Sequence, residues 1–226
     1  MQGMAEVARS EAVNVRFGPQ VGLLACTMEV RQRPVAMAGE DGWEAVRRQW
    51  AGQDVAALAS DEVLSAYRRF LGGAGAGEDL LRRFLFEGGL KSINAVVDSV
   101  NLASARTKVT MAAFDAQAVE GEMLLDLAEQ EERLRVIGGK EARIPKGELV
   151  LKDQAKVLSW LGRRDSEATK VEPGTREIWL LGVMVPGVGR AVVTHAILEA
   201  VHEMSQALVV RLSEPVARAE APGMPW

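Results

Sequence analysis

The chain has 226 residues, which is long enough for one sizeable hydrophobic core or two small ones. Its 48% hydrophobic and 26% charged residues are typical of a soluble globular protein, and no apolar run approaches the ~20 residues that a membrane-spanning helix needs. The net charge of −4 excludes strong nucleic-acid binding by overall charge, because that binding depends on clustered Lys and Arg.

Two features of the sequence bear on its location. Glu6, Arg9 and Glu11 precede any apolar run, which is unlike a secretory signal. The single cysteine, Cys26, cannot form an internal disulfide and lies in an apolar segment, where we expect it to be buried. We therefore expect a cytoplasmic protein without a membrane anchor.

The N-terminal third alternates one strand with helices. Residues 21–30 are apolar almost throughout and predict a strand buried on both faces. Helices are predicted over 43–50, 63–71 and 78–86, the second beginning at Ser60-Asp61-Glu62. The glycines of 72–77 follow a helix and lack the spacing of a dinucleotide-binding loop, so a flexible connector is predicted there.

A helix is predicted over residues 91–106, and it carries three polar residues at spacings of four and three. Asn94, Asp98 and Asn101 would project from one stripe, opposite a body rich in valine. They could form a solvated face, or buried asparagines that anchor a loop. They could also form a row of donors and acceptors that lines a pocket. Periodicity does not choose between these alternatives.

Short strands and turns follow from Met111 onward. Strands are predicted over 123–127, 133–137, 148–151, 155–160 and 177–184, and an amphipathic helix over 190–210. Turns this short favour antiparallel pairing, so we predict an α+β fold in which helices 91–106 and 190–210 cover a mainly antiparallel sheet. We expect one domain over 1–213, with an N-terminal part at 1–64, a core at 65–190, the closing helix at 190–210 and a loose tail at 214–226.

A second polar cluster lies in the loop after the strand that ends at Trp160. Arg164, Asp165, Ser166 and Thr169 offer charged and hydroxyl hydrogen-bonding groups within a few positions. Such a loop could bind a ligand, or it could be an Asp-Ser turn with a weak surface ion pair. If the first alternative holds, we expect the loop to meet Asn94, Asp98 and Asn101, together with Asp115.

Familiar catalytic and metal-binding patterns are absent from the sequence. His195, Glu199 and His202 share the polar stripe of the last helix, but their spacing is not that of a His-Glu-x-x-His site. No Gly-x-Ser-x-Gly elbow occurs, and Cys26 has no evident base partner. We expect both histidines to be at least partly exposed, with no bound metal and no cofactor.

The two polar segments, in this order and at this separation, resemble the tRNA-editing domain of the beta subunit of bacterial phenylalanyl-tRNA synthetase, and more closely its stand-alone relatives. The resemblance covers about residues 65–190. Its residues are Ile93-Asn94, Val97-Asp98, Asn101, Ala113-Phe114-Asp115, Gly121, Leu127-Ala128, Gly147-Glu148, Asp153, Arg164-Asp165-Ser166, Thr169-Lys170, Thr175 and Pro186-Gly187.

The resemblance implies an α+β fold with a cleft for the aminoacylated end of tRNA, where the synthetase hydrolyses a mischarged tyrosyl ester. That reaction needs a positioned water and groups that stabilise an oxyanion. The synthetase pocket has a histidine before its Ala-Phe-Asp segment and a glutamate at the end of its last core strand. This chain has Ala112 and Leu181 there, so we expect little hydrolysis of tyrosyl-tRNA.

Three functions remain open from the sequence. The first is a stand-alone domain that binds an aminoacyl-tRNA end or an amino-acid-like ligand. The second is an active trans-editing esterase built around Asp98, Asp115 and Asp165, and the third is a non-catalytic interaction module. A carboxylate of raised pKa facing the cleft would favour the esterase, an uncharged deep pocket would favour binding, and a filled pocket would favour the module. The ligand and the oligomeric state are not indicated.

Overall fold

The computed structural model describes residues 3–32 and 40–213, so the predicted tail at 214–226 lies outside the described residues. The described helices, in chain order, are α1 Glu11–Phe17, α2 Glu40–Gln49, α3 Val55–Ser60, α4 Glu62–Leu71, α5 Ala76–Phe86, α6 Ala95–Thr107 and α7 Arg190–Ala207. The described strands are β1 Ala5–Glu6, β2 Ala8–Arg9, β3 Gly22–Gln32, β4 Met111–Asp115, β5 Leu124–Leu127, β6 Glu132–Arg135, β7 Glu141–Ile144, β8 Leu149–Lys152, β9 Val157–Trp160, β10 Arg164–Asp165, β11 Glu177–Met184 and β12 Leu208–Leu212.

The first sheet is built around the long strand β3. Its strand order is β1-β3-β11-β4, β12 also pairs with β3, and every pairing is antiparallel. The predicted strand at 21–30 is thus confirmed, and its residues from Val21 to Met28 are buried. Because apolar side chains alternate between the two faces, a strand buried throughout must be covered on both sides.

The second sheet has the order β10-β9-β8-β5-β2, and β6 and β7 form a separate hairpin. All of its pairings are antiparallel except the short parallel contact between β2 and β5. The α+β class with mainly antiparallel pairing is confirmed. The expectation that the strands at 123–184 share one sheet is wrong, because β11 pairs with β3 and β4 and not with its neighbours in that range.

Helices α6 and α7 pack against each other and cover one face of the first sheet. A Cβ atom at Gly182 of β11 would collide with the Val193 side chain of α7, which shows how closely this helix approaches the strand. Since side chains alternate along a strand, Leu181 and Val183 point to the opposite face, toward the second sheet.

One hydrophobic cluster joins residues from Val7 to Leu208 in the space between these layers. Two smaller clusters of buried residues lie among helices α2 to α6 and beside the β6–β7 hairpin. None of the helices in the described ranges has both the length and the apolar character needed to span a bilayer.

Several element boundaries differ from prediction. The closing helix ends at Ala207, and residues predicted as its last turn form β12 on the edge of β3. The helix predicted from residue 91 begins at Ala95, because Asn94 is its N-cap. Helix α1 was not predicted, since its seven residues bury only Val13 and therefore give no amphipathic period.

The glycine-rich segment is partly ordered and is not simply a connector. Gly72 ends α4 in the left-handed conformation, and α5 begins at Ala76. Gly77 lies inside α5, where a Cβ would be 3.3 Å from the carbonyl oxygen of Lys108. A small residue is needed there because the C-terminal end of α6 passes close to the backbone of α5.

Candidate functional site

The first residue of the predicted polar stripe, Asn94, caps the N-terminus of α6. Its side-chain oxygen accepts a hydrogen bond of 3.0 Å from the backbone N–H of Val97, and its amide donates to the Val171 carbonyl at 3.2 Å. The cap satisfies one of the free N–H groups at the helix start, where asparagine is among the preferred residues. Asn94 therefore joins α6 to the segment after the Arg-Asp-Ser loop.

Asp98 also turns back to the helix entry. Its carboxylate accepts hydrogen bonds from the Ser92 hydroxyl at 2.5 Å and from the Ile93 N–H at 2.9 Å. Asn101 lies one turn further along α6 and is half-buried. The stripe thus braces the chain where α6 begins, and none of its three residues lines the cavity described below.

Asp115 ends β4 and ties it to the same region. One oxygen caps a short 3-10 turn through the N–H of Gln117 at 3.0 Å, and the other accepts from the Thr175 hydroxyl at 2.7 Å. Asn94 and Asp115 therefore both bond to residues 171–175. These contacts are with the segment that follows the predicted loop, and among the described residues no hydrogen bond joins Asn94 or Asp115 to Arg164, Asp165, Ser166 or Thr169.

The loop residues Ser166 and Thr169 are buried and do not line the cavity. The Ser166 hydroxyl accepts a hydrogen bond of 3.2 Å from the N–H of Ala168 and caps a single 3-10 turn. The Thr169 hydroxyl is buried without a hydrogen-bond partner within the described part of the chain. Of the four predicted loop residues, Arg164 and Asp165 reach the cavity.

The cavity lies between the two sheets and has a volume of about 140 Å³. Its walls are mostly apolar, with Ala112, Phe114, Leu181 and Val183 from the first sheet and Leu151 from the second. Ala112 of β4 is the direct cross-strand partner of Leu181 of β11. The two positions at which the family resemblance implies a missing polar pair are therefore neighbours in the wall of one cavity.

The polar side of the cavity comes from strand register in the second sheet. Leu151, Ser159 and Asp165 are successive cross-strand partners on β8, β9 and β10. Residues directly opposite each other in a sheet project to the same face, so all three side chains line the cavity. Arg164 lies at the rim, is exposed, and donates to the Arg163 carbonyl at 2.8 Å.

Asp165 is the titratable group with the most perturbed environment in this cavity. Burial of its carboxyl group raises its pKa, and the adjacent Ser159 side chain, whose hydroxyl donates to the Arg164 carbonyl at 3.4 Å, opposes the rise without cancelling it. A buried carboxyl without a cationic partner favours the neutral form. A carboxyl of raised pKa that faces a cavity is a typical feature of functional sites.

Sequence reasoning missed several residues of the cavity wall. Ser159 and Leu151 belong to predicted strands, but only the register shows that they stand beside Asp165. Thr110 lines the same cavity, and its buried hydroxyl has no hydrogen-bond partner among the described residues. No periodicity marks this threonine, because it lies at the start of an edge strand.

The two histidines are exposed, as predicted. Between them on α7, Glu199 lies 3.6 Å from Arg106, and Glu203 also pairs with Arg106. Within residues 3–32 and 40–213, no group of three or more His, Cys, Asp and Glu side chains has an arrangement suited to a metal ion. Cys26 is buried, and burial raises the pKa of its thiol to about 12.

Comparison with known proteins shows which family the sequence matches. The model of the B3/4 domain family matches residues 66–205. The phenylalanine–tRNA ligase beta subunits of Vibrio cholerae and Haemophilus ducreyi are each 36% identical to the chain over 92 residues. Each alignment covers 41% of this chain and 12% of the subunit, so the chain corresponds to a small part of those proteins.

The subunit of Aquifex aeolicus is 30% identical over 100 residues, which is 44% of this chain and 13% of that protein. Among solved structures, an N-terminal fragment of the phenylalanyl-tRNA synthetase beta subunit from Pyrococcus horikoshii aligns with 93% of this chain and 54% of its own, at 14% identity and a TM-score of 0.44. Because the family model matches more than half of the 226 residues, the chain belongs to the B3/4 domain family and is related to the phenylalanine–tRNA ligase beta subunit.

Proposed function

We propose that the protein binds the aminoacyl end of a tRNA, or an amino-acid-like ligand, with the ligand's side chain in the cavity between the two sheets. The observation that carries the proposal is the pairing of an apolar wall, Ala112 and Leu181, with one carboxyl group, Asp165, across a single small cavity. An amino-acid ester has the matching chemistry, since it combines a side chain with an α-ammonium group.

The size and lining of the cavity favour an apolar side chain. Its volume of about 140 Å³ is close to that of an engineered cavity of ~150 Å³ that binds benzene. A phenyl ring or a branched aliphatic side chain would fit such a space. A phenol directed at the Ala112–Leu181 wall would be a poorer ligand, because its hydroxyl would find no partner there and an unpaired buried polar group costs about 1–3 kcal/mol, whereas one directed at Thr110, Ser159 or Asp165 could be paired.

In this proposal Asp165 recognises the α-ammonium group of the ligand. A cation at this position would favour the ionised carboxylate and so offset the burial that raises its pKa. Arg164 at the rim remains available for an ester or phosphate oxygen. Asn94, Asp98, Asn101, Asp115, Ser166 and Thr169, predicted from the sequence as ligand contacts, would then act indirectly by fixing the loop that carries Asp165.

A second candidate function is hydrolysis of mischarged aminoacyl-tRNA, and the raised pKa of Asp165 favours it. A carboxyl with a pKa nearer neutrality is a more effective general base for activating water. Asp98 and Asp115 are engaged in capping hydrogen bonds, so an esterase would depend on Asp165 alone. The open cavity supports either of these functions over a purely structural interaction module.

A panel of aminoacyl-tRNAs tests the proposal. We expect tRNAs that carry apolar amino acids to bind or to be deacylated, and tyrosyl-tRNA to be a poor ligand and substrate. Ala112→Leu should abolish the effect by filling the cavity, whereas Ala51→Leu, at an exposed position, should not. Equal activity of Ala112→Leu and wild type would contradict the assignment of the cavity.

The proposal keeps two further expectations from the sequence. The partner is tRNA or aminoacyl-tRNA, recognised through its charged 3′ end. A protein that acts on charged tRNA must work where tRNA is charged, so we retain the predicted cytoplasmic location as part of the proposal.

A further inference from the structure

Strand β12 forms one edge of the first sheet, and in the part of the chain that the structure describes no strand pairs with its outer side. The N–H of Ser213, directly after β12, donates to the Thr27 carbonyl of β3 at 3.0 Å. Because the backbone groups of successive residues point to alternate sides of a strand, those of Leu208, Val210 and Leu212 point away from β3. We propose that this outer edge pairs with β12 of a second copy of the chain, which would join two first sheets into one continuous sheet.

An antiparallel pairing centred on Val210 uses the outward backbone groups of β12 in both copies. Val210 would exchange a pair of hydrogen bonds with Val210 of the second copy, and each Leu212 N–H would donate to the Leu208 carbonyl of the other chain. The Leu208 N–H takes no part, because it already donates to the Met204 carbonyl at the end of α7. The pairing would close an edge that otherwise presents a row of unpaired donors and acceptors.

The same register makes β12 complementary to its own copy. Arg211 would lie opposite Val209, which is 40% exposed, and Leu212, which is 49% exposed, would lie opposite Leu208. Like charges directly opposite each other destabilise a sheet, and this register avoids them. Strands that stay at an edge are commonly protected by charged residues, proline or a bulge, whereas β12 has a single arginine and a regular register. A second copy related by a two-fold axis therefore fits this edge.

The C-terminal part of α7 presents uncharged side chains above this edge. Arg106 of α6 pairs with Glu199 and Glu203, so these two glutamates mark the side of α7 that faces α6. Helix α6 contacts β4, at the other edge of the sheet, and α7 contacts β12. Leu198, which is 43% exposed, and the half-buried Val201 lie on the side of α7 away from α6. The proposed dimer would cover this apolar surface as well.

The dimer would leave the cavity between the two sheets open. Ala112 and Leu181 belong to β4 and β11, and β4 is the edge of the first sheet opposite β12. Ligand binding and dimerisation should therefore be independent of each other. Binding of phenylalanine methyl ester reports on the cavity, and the oligomeric state reports on β12, so failure of this inference is distinguishable from failure of the proposed function.

The test is sedimentation velocity of the full chain over a concentration series from about 1 to 100 µM, in which wild type should form a concentration-dependent dimer. Val210→Pro removes an outward N–H and leaves the bonds between β12 and β3 intact, so it should raise the dimer dissociation constant by about tenfold or more. Val55→Pro is the matched control, because Val55 is 52% exposed at the first position of α3, where proline is tolerated. This control should dimerise like wild type.

A second variant and a second measurement keep the test decisive. Should Val210→Pro fail to fold, Leu212→Lys decides the matter, because the side chain is exposed at the edge of the core and a lysine there would place a charge in the interface. Hydrogen exchange at the amides of Val210 and Leu212 should slow as the dimer forms. A wild-type chain that remains monomeric up to about 100 µM, or a dimer whose dissociation constant changes by less than about twofold in both variants, would overturn the inference.

Discussion

Asp153, in the turn after β8, and Asp165, on β10, are two acidic residues of the second sheet and its turns with opposite surroundings. The Asp153 side chain is fully buried and accepts hydrogen bonds of 2.8 Å from the N–H groups of Glu120, Ala155 and Lys156. Burial alone would raise the pKa of Asp153, but these bonds and the Lys156 ammonium lower it. Among the described residues the Asp165 carboxylate accepts no comparable set of backbone hydrogen bonds, it faces a cavity, and burial raises its pKa.

The number of backbone N–H groups bonded to a buried carboxylate separates a structural carboxylate from one that can bind a ligand. A side chain whose lone pairs are saturated by fixed backbone donors contributes to folding and has no capacity left for a ligand. A buried carboxyl that lacks such donors costs stability, and where it faces a cavity a ligand can complete its contacts. Asn94, Asp98 and Asp115 resemble Asp153 in that each accepts a hydrogen bond from a backbone N–H at the start or end of a helix or turn, although from one such donor and not three.

The largest expected effect comes from removing the charge of Asp165. If the protein is an esterase, Asp165→Asn should lower the deacylation rate by about 100-fold or more, since a general base contributes on that order. If it only binds, affinity for the aminoacyl ester should fall and the melting temperature should stay the same or rise. Deacylation and thermal melting of the variant, with Asp79→Asn as the control for a surface aspartate, distinguish these outcomes.

Asp153→Ala should cause the largest loss of stability. Three backbone N–H groups would lose their acceptor, and unpaired buried donors cost about 1–3 kcal/mol each before relaxation or water entry reduces the sum. We expect the free energy of unfolding to fall by about 3 kcal/mol in urea titrations. A loss no greater than that of Glu141→Ala, at an exposed position on β7, would show that this carboxylate is not structural.

Asn94→Ala should have an intermediate effect, on stability alone. The variant loses the cap of α6 and the bond to Val171, and an N-cap is typically worth about 1 kcal/mol. Chemical denaturation measures this loss. Asn94→Asp retains the capping oxygen and should recover most of it. If Asn94→Ala instead abolished ligand binding while stability remained unchanged, the polar stripe would be part of the site after all.

The smallest expected effect is a difference in pH dependence. Asp153 has a lowered pKa when folded, so its stabilisation is present above the ordinary aspartate pKa of about 3.9 and is lost as pH falls through the folded value. Asp165 has a raised pKa, so it destabilises the fold as pH rises above that ordinary value and through the folded one. Urea unfolding between acidic and neutral pH should therefore show Asp165→Asn gaining stability relative to wild type with rising pH, and Asp153→Asn losing it. If the stability of both variants relative to wild type changed with pH in the same direction, the two carboxyl groups would not have the opposite pKa shifts described.

The sequence alone predicts the elements of the core better than it predicts the site. The apolar runs of β3 and β11 and the helical periodicity of α6 and α7 reflect burial, which leaves a pattern in consecutive residues. The choice of neighbouring strand leaves no such local pattern, since β11 pairs with a strand about 150 positions earlier in the chain. For this reason the sequence did not predict that the strands between residues 123 and 184 belong to separate sheets.

Of the residues singled out from the sequence, Asp165 and Arg164, and Ala112 and Leu181 through the family resemblance, line the candidate cavity. It could not show that Asn94 and Asp98 fold back on their own helix entry, because spacing on a helix does not reveal which polar groups find local partners. Ser159 and Leu151 line the cavity because of the strand register in the second sheet, which leaves no local pattern in the sequence.

The pairing of β3 with both β1 and β12 has a consequence for how the chain folds. β12 ends at Leu212, whose partner on β3 is Met28, so this ladder joins residues separated by most of the described sequence. During synthesis, the edge of β3 that pairs with β12 stays unpaired until residues 208–212 have left the ribosome. Such a high contact order predicts slow folding and exposes an aggregation-prone strand in the nascent chain, a stage at which chaperone binding would matter most.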